Sequence, residues 1–265
     1  MKRKQFPLLL GLALLSVLTF NACEEDPNIL YPDLEPFDKL VVAQNIAVLL
    51  MNGDKDLTVS GSGDLSSVQL VVSDGVLTIT LPNPGMAQNV VVEIYHDDMK
   101  SVRCTQNGLV NFAEHFTTSS PTLNISAYND AVIYSYFELS VDTLDISLND
   151  DSFVAFRQLD VHKNILTVWS EAICFLEGTA VDQILEMTDA CYYNLADKET
   201  GWSISGPLEA ENIWVDAKHA ASAWVHASTY LNATGTTGSM VYYKGDPATI
   251  EQNMTNGAEL IQKNN

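Results

Sequence analysis

The chain has 265 residues, enough for one sizeable core, and 46% of them are apolar, too many for a disordered segment. Its formal charge is −21. Such a surface repels phosphate backbones and excludes nucleic acid as a partner, while neutral sugars and weakly held calcium are compatible with it.

The first residues predict an export signal. Lys2, Arg3 and Lys4 are followed by an uncharged, mostly apolar stretch from Phe6 to Phe20, and then by Asn21-Ala22-Cys23. So short an apolar run ending at a small residue reads as a cleavable signal over 1–22 rather than a membrane span. The Ala22-Cys23 junction resembles a bacterial lipobox, which implies that the Cys23 thiol carries lipid and that Cys23 becomes the mature N-terminus. The acids Glu24, Glu25 and Asp26 resemble the surface-export signal of Bacteroidota lipoproteins, implying an outer-membrane lipoprotein facing outward, with the membrane as its partner through that lipid. Losing 1–22 removes three of the 13 basic side chains and none of the 34 acids, leaving a formal charge of −24. Residues 23–38, carrying three prolines and six acids, are expected to be a tether.

Residues 39–98 read as an N-terminal meander of antiparallel strands. Val41–Met51 ends at Asn52-Gly53 and is followed by Leu57–Ser60. Val68–Val72 ends at Asp74-Gly75 and is followed by Val76–Leu81, and Val90–Tyr95 is a further strand. Asn-Gly and Asp-Gly supply the positive φ of tight hairpin turns.

From residue 99 onward an apolar–any–apolar triplet recurs. It appears as Val102-Arg-Cys104, Leu123-Asn-Ile125, Leu144-Asp-Ile146, Leu166-Thr-Val168, Leu185-Glu-Met187, Ile213-Trp-Val215 and Leu231-Asn-Ala233, with starts 21, 21, 22, 19, 28 and 18 residues apart. Ten residues after each start stands Phe112, Ile133, Val154, Leu176, Leu195, Ala223 or Val241, all apolar. A period-2 strand repeating about every 20 residues predicts a solenoid, because one turn cannot bury its own apolar face and turns must stack. Gly235–Ser239 is then the corner of the last rung and Met240–Tyr243 its second strand. No helix-forming segment and no Lys after the final Gly follow, so a phosphate-binding loop is excluded. The 28-residue interval implies a protruding loop at 197–207, with Trp202 in it.

The strand pattern at the N-terminal end, the L-x-I rungs and the ending "TGTTGSMVYYKGDP…GAEL" are similar to the GIN-domain family of autotransporter-adhesin head domains. The resemblance covers about residues 40–262. It implies an all-β, right-handed parallel β-helix of about seven rungs, one structural unit with its N-terminal meander over 39–98 and its rungs over 99–265. Family members repeat Gly-Ser-Gly-Asp/Asn at successive corners. Here "SGSGD" occurs once, at 60–64, "GTTGS" stands at 235–239, and other corners hold Asn129-Asp130 or Asn149-Asp150-Asp151.

Three functional readings are open. The first is an adhesion-type module binding glycan or protein, without catalysis. Its candidate residues are Trp169, Glu186 and Trp214, with Trp202; outward parity puts the two rings of Trp169 and Trp214 about 12 Å apart, flanking the acid. The second is a purely structural envelope protein. The third is a polysaccharide lyase or glycoside hydrolase, which needs clustered carboxylates and a basic partner, the candidates being Asp130, Asp150, Asp151, Arg157, His162 and Lys163. No cofactor is expected, and His96, His115, His162, His219 and His226 lack metal-ligand spacing. Cys104, Cys174 and Cys191 are three, an odd number; three buried thiols, or one bridge and one thiol, both fit.

Overall fold

The computed structural model describes residues 28–30, 32, 34–195 and 206–263. They form a β-solenoid of about seven turns. The expected signal over 1–22 and Cys23 lie outside the described residues. Each central turn is one long bent strand: Val132–Leu148, Phe153–Val168 and Ile173–Met187 pair in parallel along nearly their whole length. Within Phe153–Val168 the stretch 163–168 belongs to a first sheet that contains the triplets. The stretch 153–156 belongs to a second sheet and 158–161 to a short third one.

Alternation sends every other side chain inward, where successive turns stack into ladders. In the first sheet one ladder runs Val102, Ile125, Ile146, Leu166, Leu185, Val215, Ala233, all buried. In the second sheet a ladder runs Val48, Val110, Ile133, Val154, Cys174, Tyr193, Ala223, Val241, again all buried.

The corner between the first and second sheets is built from two consecutive left-handed residues on each turn. They are Gln106-Asn107, Asn129-Asp130, Asp150-Asp151, Ser170-Glu171, Asp189-Ala190, His219-Ala220 and Thr237-Gly238, with φ between 51° and 71°. Asn and Asp tolerate this region, whereas Ala and Glu do so at a cost. The backbone offsets that cost: the N–H of each pair's second residue donates to the carbonyl of the first residue on the next turn, as in Asp130 to Asp150 and Ala190 to His219.

The triplets face as expected, but their register does not follow the triplet alignment everywhere. Leu123 pairs with Leu144 and Leu166 with Leu185, whereas Ile146 pairs with Leu166, Leu185 with Val215 and Val102 with Ile125, each a shift of two residues. The rung of Leu231 and Val241 is also not the last. Thr249–Met254 and Glu259–Gln262 add another turn, in which Gln252 takes the ladder position above Ala233.

The N-terminal segment is less of a meander than its turns imply. Lys39–Val42 lies between Val76–Thr80 and Ser101–Thr105, and Ala47–Met51 between Ala87–Tyr95 and Leu109–Phe112, all in parallel. The first turn in sequence is thus the second in space. What reads as one strand from Val41 to Met51 is broken by a corner at Gln44-Asn45, with φ of 66° and 59°. Antiparallel pairing is confined to the outer end. The Asp74-Gly75 hairpin joins Gln69–Ser73 to Val76–Thr80, and Asp56–Gly63 lies along Ala87–Tyr95 and pairs with Asn28–Leu30. Asn52-Gly53 closes no hairpin, because Ala47–Met51 has parallel neighbours on both sides.

His96 is fully buried in this region and not a surface histidine. Its Nδ1 accepts the Asp98 N–H at 3.1 Å, which leaves Nε2 to donate to the Phe37 carbonyl at 2.6 Å. Burial lowers its pKa, so the ring is held neutral as a backbone clamp.

All three described cysteines are free and buried. Burial pushes the Cys104 and Cys191 thiols up to about 12, and that of Cys174 well above its ordinary value. Such thiols are inert small apolar residues. Addition of Ellman's reagent to the native chain is expected to release no thiolate from these three, and three equivalents once the chain is unfolded in guanidinium. Rapid reaction of the native protein at any of the three would contradict their placement.

Candidate functional site

Both tryptophans predicted to lie on the outer face of the first sheet are exposed: Trp169 by 41% and Trp214 by 37%. The register separates them further than the triplets imply. Trp169 shares its column with Thr188 and Lys218, while Trp214 stands four residues before Lys218, two turns away. That makes roughly 16 Å between their positions. Glu186 is exposed but pairs with Thr167 and Asp216 in the column between the two rings. The three are spread along a diagonal across three successive turns. Trp202 lies outside the described residues.

Trp214 has a different partner. Asn212 pairs with Tyr230 and Trp214 with Asn232, so the Tyr230 ring rises beside the indole, with centroids 5.6 Å apart and planes 50° from each other. Together they form one wall of an open cleft of about 490 Å³, completed by Asn212, Thr229, Ala248 and Thr249. The polar groups around it are held in place. Tyr230 Oη donates to Glu251 Oε2 at 2.9 Å, and Asn232 Nδ2 reaches both that oxygen and the tyrosine hydroxyl at 3.2 Å. On the other side Asn212 Nδ2 donates to Asp182 Oδ1 at 3.0 Å. The pattern of the sequence does not single out Tyr230. Its signal becomes visible only from the corners, since Tyr230 and Asn212 each stand seven residues before the left-handed pair that ends their strand.

The residues of the enzymatic reading are not assembled. Asp130, Asp150 and Asp151 are the left-handed residues of the corner between the first and second sheets. Arg157 lies past the second sheet, its guanidinium 5.2 Å from the Tyr136 ring centroid, His162 lies between the third sheet and the first, and Lys163 opens the first sheet. The acids thus stand at one corner and the bases at other positions around the turn. Among the described residues no three His, Cys, Asp or Glu side chains converge on a metal position.

The sequence matches the model of the family described as "Putative auto-transporter adhesin, head GIN domain" over residues 36–247. No curated protein matches it. Among solved structures it is similar to a "putative adhesin" from Parabacteroides merdae, at 14% identity and a TM-score of 0.73, covering 90% of this chain and 96% of that one. A "putative adhesin" from Parabacteroides distasonis gives 15% identity and a TM-score of 0.74, covering 90% and 97%. A "Putative lipid binding protein" from the same species gives 11% identity and 0.73, again covering 90% and 97%. The fold is shared at identities this low because ladders of interchangeable aliphatic residues specify it. The family model spans most of the sequence, and the chain belongs to the GIN-domain family.

Proposed function

We propose that this protein is an adhesion-type binding module of the cell envelope, held to the outer membrane by lipid on Cys23 and facing the cell exterior. The observation that carries the reading is the outer face of the first sheet. A rigid stack of turns presents Trp169 and Trp214 to solvent, and large exposed rings on a fixed scaffold are the usual anchors of recognition surfaces. Dispersal of the candidate acids and bases around the turn favours binding over polysaccharide cleavage. The adhesin descriptions of structural neighbours agree with this reading.

Two experiments test it. Cys23→Ala is expected to move the protein from the membrane pellet to the soluble fraction and to block signal processing; a variant still processed and membrane-bound overturns the lipid anchor. The full chain is expected to bind ligands on an array of glycans and surface proteins. An array without a hit for the wild type overturns the adhesion reading.

A further inference from the structure

We infer that the cleft walled by Trp214 and Tyr230 is a subsite for an uncharged sugar ring, so that the ligand of this surface is a neutral glycan. This inference rests on the adhesion reading and names the ligand class of its site. The two rings supply apolar faces tilted at 50° to each other, the surface on which the C–H face of a pyranose packs. A sugar also carries hydroxyls around its rim, each both donor and acceptor, and the cleft offers both kinds of partner. Thr229 and Thr249 line it with hydroxyls, and Asn212 has its Nδ2 fixed on Asp182, which leaves Oδ1 turned to other donors. Glu251 is held by Tyr230 and Asn232 through a single oxygen, Oε2, so its other oxygen remains an oriented acceptor at the rim.

Charge decides the kind of sugar. The carboxylates of Asp182 and Glu251 stand on either side of the cleft, within a chain of net charge −21. A uronate or sulfate entering there would meet like charge on both flanks with no basic side chain lining the cleft. A lipid acyl chain fits less well, since the cleft is open and cannot enclose one. An arginine side chain of a protein ligand could stack on the rings. It brings donors only, however, and cannot use the threonine hydroxyls and the amide as a sugar does.

The test uses the full chain and linear six-unit oligosaccharides. Neutral gluco-, manno- and galacto-hexamers are compared with hexagalacturonate, a sulfated hexamer and an arginine-rich peptide, by calorimetry and by intrinsic fluorescence. At least one neutral hexamer is expected to bind with a shift in tryptophan emission, at least tenfold more tightly than hexagalacturonate. Trp214→Ala is expected to weaken that binding at least tenfold, and Tyr230→Phe, which removes one of the two hydrogen bonds holding Glu251 but keeps the ring, severalfold. Trp169→Ala, on a column roughly 16 Å away, should leave it unchanged. Glu251→Gln is expected to narrow the gap between neutral and acidic hexamers. A neutral hexamer that binds Trp214→Ala as tightly as wild type moves the site elsewhere and leaves the adhesion reading standing. Preference for an acidic hexamer or for the arginine-rich peptide overturns the sugar assignment, likewise without touching that reading. A protein that fails on this panel and on the wider array overturns both.

Discussion

Ile146→Asp is expected to lower the unfolding midpoint of the chain severely, whereas Asp145→Asn, one residue away, leaves it nearly in place. Ile146 is fully buried, with Ile125 on one side of it in the ladder and Leu166 on the other. Replacing it removes packed methyl groups and installs a carboxyl that finds no partner among those side chains. The cost is about 4 kcal/mol or more, a large share of the usual margin of about 5–15 kcal/mol. Asp145 points the other way, and partial burial raises its carboxyl above the ordinary value. The sign follows from linkage. A carboxyl with a raised folded pKa disfavours the folded state while charged, fully above that pKa, and the penalty disappears as pH falls below the unfolded value. Asp145→Asn is therefore slightly stabilising at pH 7, by about 0.5 kcal/mol or less, and neutral in acid. The Ile146→Asp penalty likewise shrinks in acid, where the carboxyl is protonated. Urea unfolding of both variants at pH 7 and pH 3 measures all of this. Equal midpoints at pH 7 would mean that inward and outward are assigned the wrong way round.

That alternation is what a sequence reveals most directly in this architecture. Every residue of the seven triplets that was assigned inward is buried, because a strand's facing depends only on parity. Register is another matter. An apolar–any–apolar triplet looks the same after a slide of two residues, so the pattern fixes facing and leaves register open. The slide is hidden by two side chains. Asn164 and Gln183 occupy the ladder positions level with Leu144 and Ile213, and an alignment seeking apolar residues steps past them. Hydrogen bonds hold both in the core, although Gln183 Oε1 has no partner there. Asn164 Nδ2 donates to the Leu144 carbonyl at 3.3 Å, and Gln183 Nε2 reaches Asn164 Oδ1 at 3.3 Å and Tyr193 Oη at 2.6 Å.

The corners keep the true register. Aligned on the left-handed pairs Asn129-Asp130, Asp150-Asp151, Ser170-Glu171 and Asp189-Ala190, the turns fall into the observed pairing without adjustment. Only the first two of these pairs carry the Asn/Asp signature that marks such a turn. Ser-Glu, Asp-Ala and His-Ala adopt it through the backbone bonds of neighbouring turns, a cooperative effect that no single turn's sequence displays. The same effect explains the site. Trp169, Glu186 and Trp214 share a facing, which parity alone reveals, but Tyr230 becomes the neighbour of Trp214 only once the register is known. The position of the N-terminal turn is hidden for a further reason. Placing Lys39–Val42 between Val76–Thr80 and Ser101–Thr105 is a choice among parallel neighbours of similar apolar character.

Gly178→Ala is expected to be nearly as damaging as a charge in the core, although it adds a single methyl group. Gly178 opens the stretch that enters the third sheet, next to the irregularity in pairing between Phe156 and Leu159. Its φ is +130°, a conformation that residues with a Cβ rarely adopt, and a Cβ there would lie 2.1 Å from the Leu159 carbonyl oxygen and 2.5 Å from its nitrogen. Those are backbone atoms of the neighbouring turn, fixed by parallel pairing on both sides, so the clash cannot be relieved by a side-chain rotation. Backbone strain of about 1–3 kcal/mol and overpacking of about 1–3 kcal/mol combine to a loss on the order of 4 kcal/mol. The lesion acts between two turns, and each turn is supported by its neighbours, so amide protection should fall first in 153–187 and later toward the ends. Gly85→Ala is the matched control, since a Cβ at Gly85 meets nothing within 4 Å. Hydrogen exchange and thermal unfolding of the two variants give the comparison. If Gly178→Ala melts with Gly85→Ala, the close approach of the Leu159 backbone is absent and the turn from second to third sheet is built another way.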